Sequence, residues 1–311
     1  MIRKFNFVAI FFILIFLTFN LFLSVEISKA KEGNVLYVGG SGLGNYSYIQ
    51  DAINNSFAGE TVFIFAGNYS ETIVINKSIS LLGSNKTNVL IDGGDGLYSI
   101  LIKSSGVTVS GFTIQNSNVG ILISGYNYKI CNISNNIIRD NFEGVRLINS
   151  SSNVISENLF YKHNNFAIVM YDSSNNSILR NKMVDNDNGI YLGRWSNSNL
   201  ISENNFTDYK NGINLEYSFY NLISRNQLMN GSYGIYLSST KQNTITNNSF
   251  EFNIQAGIYI IDSDENVITP NIFLNNNQDV YKKTKPPSIR TPGFESFFVF
   301  LIILFVILLK K

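Results

Sequence analysis

The segment Asn153-Val-Ile-Ser-Glu-Asn158 returns as Asn176-Ser-Ile-Leu-Arg-Asn181, Asn199-Leu-Ile-Ser-Glu-Asn204 and Asn221-Leu-Ile-Ser-Arg-Asn226. Two further copies are Asn243-Thr-Ile-Thr-Asn-Asn248 and Asn266-Val-Ile-Thr-Pro-Asn271, so the first Asn advances by 23, 23, 22, 22 and 23 residues. A second marker keeps the same phase: Gly144-Val-Arg-Leu, Gly189-Ile-Tyr-Leu, Gly212-Ile-Asn-Leu, Gly234-Ile-Tyr-Leu and Gly257-Ile-Tyr-Ile, with Ala167 in the Gly position of one copy. Cys131-Asn-Ile-Ser-Asn-Asn136 and Gly120-Ile-Leu-Ile extend both markers upstream. Two markers in phase over six copies define a repeat architecture.

Period and pattern choose among repeat folds. Apolar residues alternate at spacing two, as in Ile190 and Leu192 or Ile213 and Leu215, which is the signature of short strands. No unit holds the ten to twelve residues at 3.6 spacing that a helix needs. The expected fold is therefore all-β: a right-handed parallel β-helix of about ten rungs, 22–23 residues per rung, between Thr61 and Tyr281. In such a solenoid equal positions of successive rungs stack at about 4.8 Å. Asn158, Asn181, Asn204, Asn226, Asn248 and Asn271 should then form one hydrogen-bonded ladder with a structural role. An open coil end needs covering. Residues 46–55, in which Ile49, Ala52 and Ile53 share a face, are expected to form a short N-terminal capping helix. The organisation read from this is a leader at 1–30, a cap segment at 31–60, the repeat domain at 61–281, a linker at 282–292 and a terminal segment at 292–311.

Both ends read as addresses. Arg3 and Lys4, an apolar run from about Phe5 to Val25, and Ser28-Lys29-Ala30 follow the grammar of a secretory signal cut after Ala30. At the other end Pro292-Gly293-Phe294 precedes the apolar run Phe297–Leu309 and the terminal Lys310-Lys311. Those 13 residues reach only about 20 Å as a helix, against a hydrocarbon core of about 30 Å. This tail resembles the PGF-CTERM sorting signal of archaeal surface proteins, which implies removal by a sorting enzyme and attachment of a lipid near the motif. A plain C-terminal membrane segment is the competing reading, and it places the body on the same outer side. The expected location is the outer face of the cell membrane, or the cell surface.

Composition limits the function classes. About one residue in seven is Asn, and there is one His and one Cys. The formal net charge of +1 leaves a near-neutral body with no electrostatic footprint for nucleic acid. The single Cys131 excludes an intrachain disulfide framework.

Tyr48-Ile-Gln-Asp-Ala-Ile, Gly59-Glu-Thr-Val, Gly67-Asn-Tyr-Ser-Glu-Thr-Ile and Lys77-Ser-Ile-Ser-Leu-Leu-Gly83, followed by the Asn/Gly rungs, resemble the NosD-type β-helix family. That family is named for a periplasmic copper-binding accessory protein and is grouped with pectin-lyase-like folds and CASH repeats. The resemblance covers about residues 35–281 and is specific for fold rather than activity.

Three chemistries are weighed on this scaffold. Copper asks for Cys, Met and His, but Met170 falls in phase with Leu147 and Leu192, and Met183 with Phe160 and Phe206, which marks both as core. Uronate lyase or epimerase chemistry asks for stacked carboxylates holding Ca2+ and a nearby base. Asp140, Lys162, Asp185, Asp208 and Asn230 form one turn column beside Asn141, His163, Asn186 and Tyr209, so Lys162, His163, Asp185 and Asp208 are the candidate catalytic residues. A solvated Asp/Asn turn column is the bland alternative, and it is preferred. Glycan binding asks for flat aromatic faces among polar groups. The outward column Arg146, Val169, Tyr191, Asn214, Tyr236 and Tyr259 offers them, and Trp195 follows the same strand. Eleven Asn-x-Ser/Thr sequons, Asn68 and Asn205 among them, are chemically open to glycosylation. The reading preferred from sequence is a non-catalytic surface module contacting glycan or envelope polymer. No cofactor is expected, and Ca2+ enters only under the enzyme reading.

Overall fold

The structure, a computed structural model, describes residues 34–128 and 130–283. Ala30 and the Pro292-Gly293-Phe294 motif lie outside these residues. Among the described residues no helix is long and apolar enough to cross a membrane.

Each rung carries up to three short strands, for example Val154–Ser156, Leu159–Tyr161 and Phe166–Tyr171. Every inter-rung pairing is parallel. The first strands stack into an eleven-stranded sheet, the first face, running from Val35–Val38 to Val267–Ile268. The second and third strands of the rungs make the second and third faces and belong to one sixteen-stranded sheet, because long strands such as Asn205–Glu216 and Gln227–Ser238 run through the bend between them. The chain is thus a parallel β-solenoid. Its coil starts at Val35, not Thr61, because Val35–Val38 pairs in register with Thr61–Ile64. From Thr61 onward that face holds the expected ten strands, and Val35–Val38 adds an eleventh. At the other end Val280–Lys283 pairs with Ala256–Ile261, so Lys282 and Lys283 belong to a strand rather than to the linker. A terminal rung pairs through its backbone, and exposed Lys side chains do not oppose that.

Inward positions form continuous apolar columns. Ile133, Ile155, Ile178, Ile201, Ile223, Ile245 and Ile268 register under the first face. Ile138, Phe160, Met183, Phe206, Leu228, Phe250 and Phe273 register under the second. Met170 sits between Leu147 and Leu192 as its phase required, and both Met170 and Met183 are buried. The Gly marker has a packing cause: a Cβ on Gly212 would lie 2.6 Å from the Gly234 carbonyl oxygen and 2.6 Å from Leu228.

Corners are built by one repeated device. A residue at positive φ is followed by a buried polar residue. Glu157, Arg180, Glu203 and Arg225 precede Asn158, Asn181, Asn204 and Asn226 at φ of 59°, 52°, 60° and 55°. Each of these Asn residues accepts, on Oδ1, the backbone N–H of the Asn one rung earlier at 2.9–3.1 Å. Each also gives its Nδ2–H to a core Ile carbonyl, such as Ile178 from Asn204 at 2.8 Å. The predicted ladder is thus present through Asn271. The first Asn of the motif builds a second ladder, Asn153 through Asn266.

The N-terminal end is closed by helix Ile49–Asn55, whose buried residues are Ile49, Ala52 and Ile53. Glu71 accepts the Ile49 and Gln50 N–H groups at 2.9 and 3.1 Å, and Lys77 Nζ donates to the carbonyls of Ile53, Asn54 and Ser56. Anion at the start and cation at the end match the helix dipole. The Gln50 side chain pairs with both backbone groups of Val74 and so occupies a strand edge. Lys77→Met should therefore release the cap, costing about 1–3 kcal/mol and raising amide exchange at residues 49–55 before the rest of the coil. Exchange mass spectrometry reads this, and uniform protection would refute it.

Candidate functional site

The residues proposed for acid–base chemistry occupy corners. Asp140, Lys162, Asp185, Asp208 and Asn230 all have φ between 51° and 60°, a conformation that Asn and Asp adopt readily. This explains their composition without catalysis. Asp140, Lys162, His163, Asn164, Asp185 and Asp187 do line one shallow groove of about 340 Å³. Asp208 does not line it and instead accepts from Asn230 Nδ2 at 3.3 Å. Lys162 lies 5.1 Å from the Tyr161 ring centroid. The Tyr161 hydroxyl first, then Asp185 and Asp140, hold its pKa above the ordinary value, so it stays protonated at neutral pH and is no base.

His163 is the larger correction. It is buried at 1% exposure and stands in a third ladder with Asn141, Asn186 and Asn253. The Asn141 N–H points at His163 Nδ1 at 3.3 Å, the His163 N–H donates to Asn186 Oδ1 at 3.1 Å, and His163 Nε2 lies 3.1 Å from the Ile138 carbonyl. The ladder calls for the tautomer with hydrogen on Nε2, so the imidazole copies an Asn amide atom for atom. Burial pushes its pKa down to about 4. Both nitrogens are committed to structure. Tyr209, next in the column but one, is also buried and donates to Asn253 Oδ1 at 2.9 Å.

The aromatic column is real in register: Arg146, Val169, Tyr191, Asn214, Tyr236 and Tyr259 align, and the column continues to Tyr281. Val169 departs from expectation. It shares the outward column's register but is buried at 1% exposure. Upstream, Tyr191 packs on Phe166 and Tyr171 at 5.3 and 5.6 Å and donates its hydroxyl to Glu216 Oε2 at 2.7 Å. Arg146 is held by Glu143 at 2.6 Å. Trp195 does not join them: it sits on a corner against Phe219, 5.5 Å away.

Downstream, Tyr236 and Tyr259 stack with centroids 4.9 Å apart and planes 12° apart. Tyr233 meets both edge-on at 5.7 and 5.0 Å, and Tyr281 lies 5.3 Å beyond Tyr259. Tyr233, Tyr259 and Tyr281 wall one side of a groove of about 380 Å³, with Gln255, Asn277 and Gln278 also lining it. Between the two clusters Asn214 Oδ1 is buried with no hydrogen-bond partner. Burial first, then the neighbouring Tyr259 and Tyr233, raise the Tyr236 hydroxyl's pKa, so it remains a donor at neutral pH. Tyr233 was missed from sequence because Gly234 and Ile235 both face inward, which breaks the strict alternation. The residue before each marker Gly was the available signal.

A parallel β-solenoid with stacked tyrosines on one outward face defines the class: a β-helix protein. The chain belongs to the family described as "Periplasmic copper-binding protein (NosD)", whose model matches residues 53–209 and 195–290. A cell surface glycoprotein of Methanothermus fervidus is 32% identical over 99 residues, a match taking in 31% of this chain and 16% of that relative's length. Among solved structures, the GH136 lacto-N-biosidase of Eubacterium ramulus matches with TM-score 0.60 at 10% identity, over 80% of this chain and 68% of that one. The enzymatically active domain of bacteriophage CBA120 tailspike protein 2 matches with TM-score 0.62 at 13% identity, over 81% of this chain and 46% of that one. At such identities both likenesses concern the fold alone.

The copper of the family description meets no fitting donor set among the described residues. Cys131 is buried in a ladder position, with its thiol pKa raised by burial. Met170 and Met183 are core, and both His163 nitrogens are engaged.

Proposed function

We propose that this protein is an exported surface β-helix that binds a glycan on its third face without turning it over. The observation carrying this reading is the tyrosine column Tyr236, Tyr259 and Tyr281, joined by Tyr233, beside the amides of Gln255, Asn277 and Gln278. Flat rings with hydroxyl donors and amides suit sugar faces and edges. Export is supported by the secretory grammar of residues 1–30, by the periplasmic description of the family and by a relative named as a cell surface glycoprotein. The tail at 292–311 fits processing by a sorting enzyme, with a lipid or the apolar segment holding the body at the membrane.

A glycan array probed with and without Ca2+ tests the reading. Binding should be retained without Ca2+. Tyr236→Ala with Tyr259→Ala should weaken it about 10- to 100-fold, as expected for two lost aromatic contacts of about 1 kcal/mol or more each. Unchanged binding in that variant, or loss of binding when Ca2+ is removed, would overturn it.

A further inference from the structure

The first face differs from the third in kind. None of its eleven strands, from Val35–Val38 to Val267–Ile268, holds a charged residue, and its outward side chains from Thr108 onward are Ser, Thr, Val, Leu and Asn. One rim of this flat surface carries Glu157, Arg180, Glu203 and Arg225 on successive corners. Within the chain they pair as Glu157–Arg180 at 3.0 Å and Glu203–Arg225 at 3.5 Å, all roughly half exposed. Exposed pairs of this kind add little to the chain's own stability.

The order Glu, Arg, Glu, Arg is self-complementary. A two-fold axis lying along the strands, between the rungs of Arg180 and Glu203, inverts the column against a second copy. Glu157 then faces Arg225, and Arg180 faces Glu203. The same operation sets Leu200 over Ser177, large against small, and Val154 over Leu222, all side chains that keep some exposure in the single chain. Such reciprocity is what an isologous interface requires. We propose that the first face is a self-association surface on which a second copy of this chain docks with its coil antiparallel. Strands from Thr108–Ser110 to Val267–Ile268 overlap in that arrangement. At about 4.8 Å per rung and 3.3 Å per residue between the two Asn columns, the overlap is roughly 600 Å² per partner, which reaches the lower bound of specific interfaces.

Light scattering on the full-length protein in mild detergent tests this. The wild type should weigh two chains. Arg180→Glu with Arg225→Glu should weigh one chain, as should Glu157→Arg with Glu203→Arg, because each column then repels itself. The corner conformation accepts either residue, since both occur there. An equal mixture of the two variants should restore the two-chain mass. A one-chain mass for the wild type at roughly 100 µM, well above the Kd of a specific interface, overturns the proposal. So does a full-strength dimer in the four-glutamate variant, or a mixture that fails to pair.

Discussion

His163→Asn should make the protein resistant to acid. In the fold His163 stays neutral down to about pH 4, because burial penalises the imidazolium more than the Asn141, Ile138 and Asp140 contacts favour it. In the unfolded chain a histidine protonates near pH 6.5. Its contribution is therefore complete above about pH 6.5. As pH falls from there toward 4, the unfolded state binds a proton that the folded state refuses, and stability declines by on the order of 3 kcal/mol. Protonation in place would set an N–H at Nδ1 against the Asn141 N–H it now faces at 3.3 Å. Asn removes the titration and keeps the ladder, since Asn186 and Asn253 already perform its two bonds in the same column. The expected result is a wild-type melting temperature that drops between pH 6.5 and 4, and a variant in which most of that drop is gone. Parallel pH profiles for the two proteins would remove His163 as the acid sensor.

Asn204→Leu should be among the most damaging single changes in the coil. Asn204 is 1% exposed. Its Oδ1 accepts both the backbone N–H and the Nδ2–H of Asn181 at 2.9 and 3.0 Å, and its Nδ2 donates to Ile178 O and Asn226 Oδ1 at 2.8 and 3.0 Å. Leucine matches the volume but abandons two donors of Asn181 and the Ile178 carbonyl inside the coil. At about 1–3 kcal/mol for each stranded group, the loss should reach on the order of 3–5 kcal/mol. Asn271→Leu supplies an internal control: it ends the ladder where burial is only partial, so water replaces the lost bonds and the cost should be well below half. Denaturant titration of both variants measures the difference. Equal costs at the two sites would mean that burial is not what makes the ladder expensive to break.

The legibility of this chain in its sequence follows from one-dimensional packing. Each rung contacts its neighbours in a fixed register, so a 22–23-residue repeat carries architecture, core columns and the Asn158–Asn271 ladder together. Local signals also sufficed for the capping helix, because its buried triplet Ile49, Ala52 and Ile53 is a helical pattern by itself. The ends were harder. Val35–Val38 and Val280–Lys283 continue the coil but carry neither repeat marker, so counting the period does not reach them even though Val38 is buried and Tyr281 packs beside Tyr259.

What counting residues could not decide is which polar columns face water. A corner residue at positive φ turns the next side chain inward, so Asp185 is exposed to a groove while Asn186, one position on, is buried. For that reason His163 read as a reachable base from its spacing and proves to be an Asn-like rung in the structure. Likewise the column from Arg146 to Tyr259 was legible as a register, but Val169 is buried and Tyr233 joins it where two successive residues, Gly234 and Ile235, are buried and alternation breaks. Sequence by itself determined the period, and with it the coil, its core and its ladders. Burial and side-chain direction at the corners were decided by the tertiary structure, since they depend on backbone turns and on the bulk of residues one rung away.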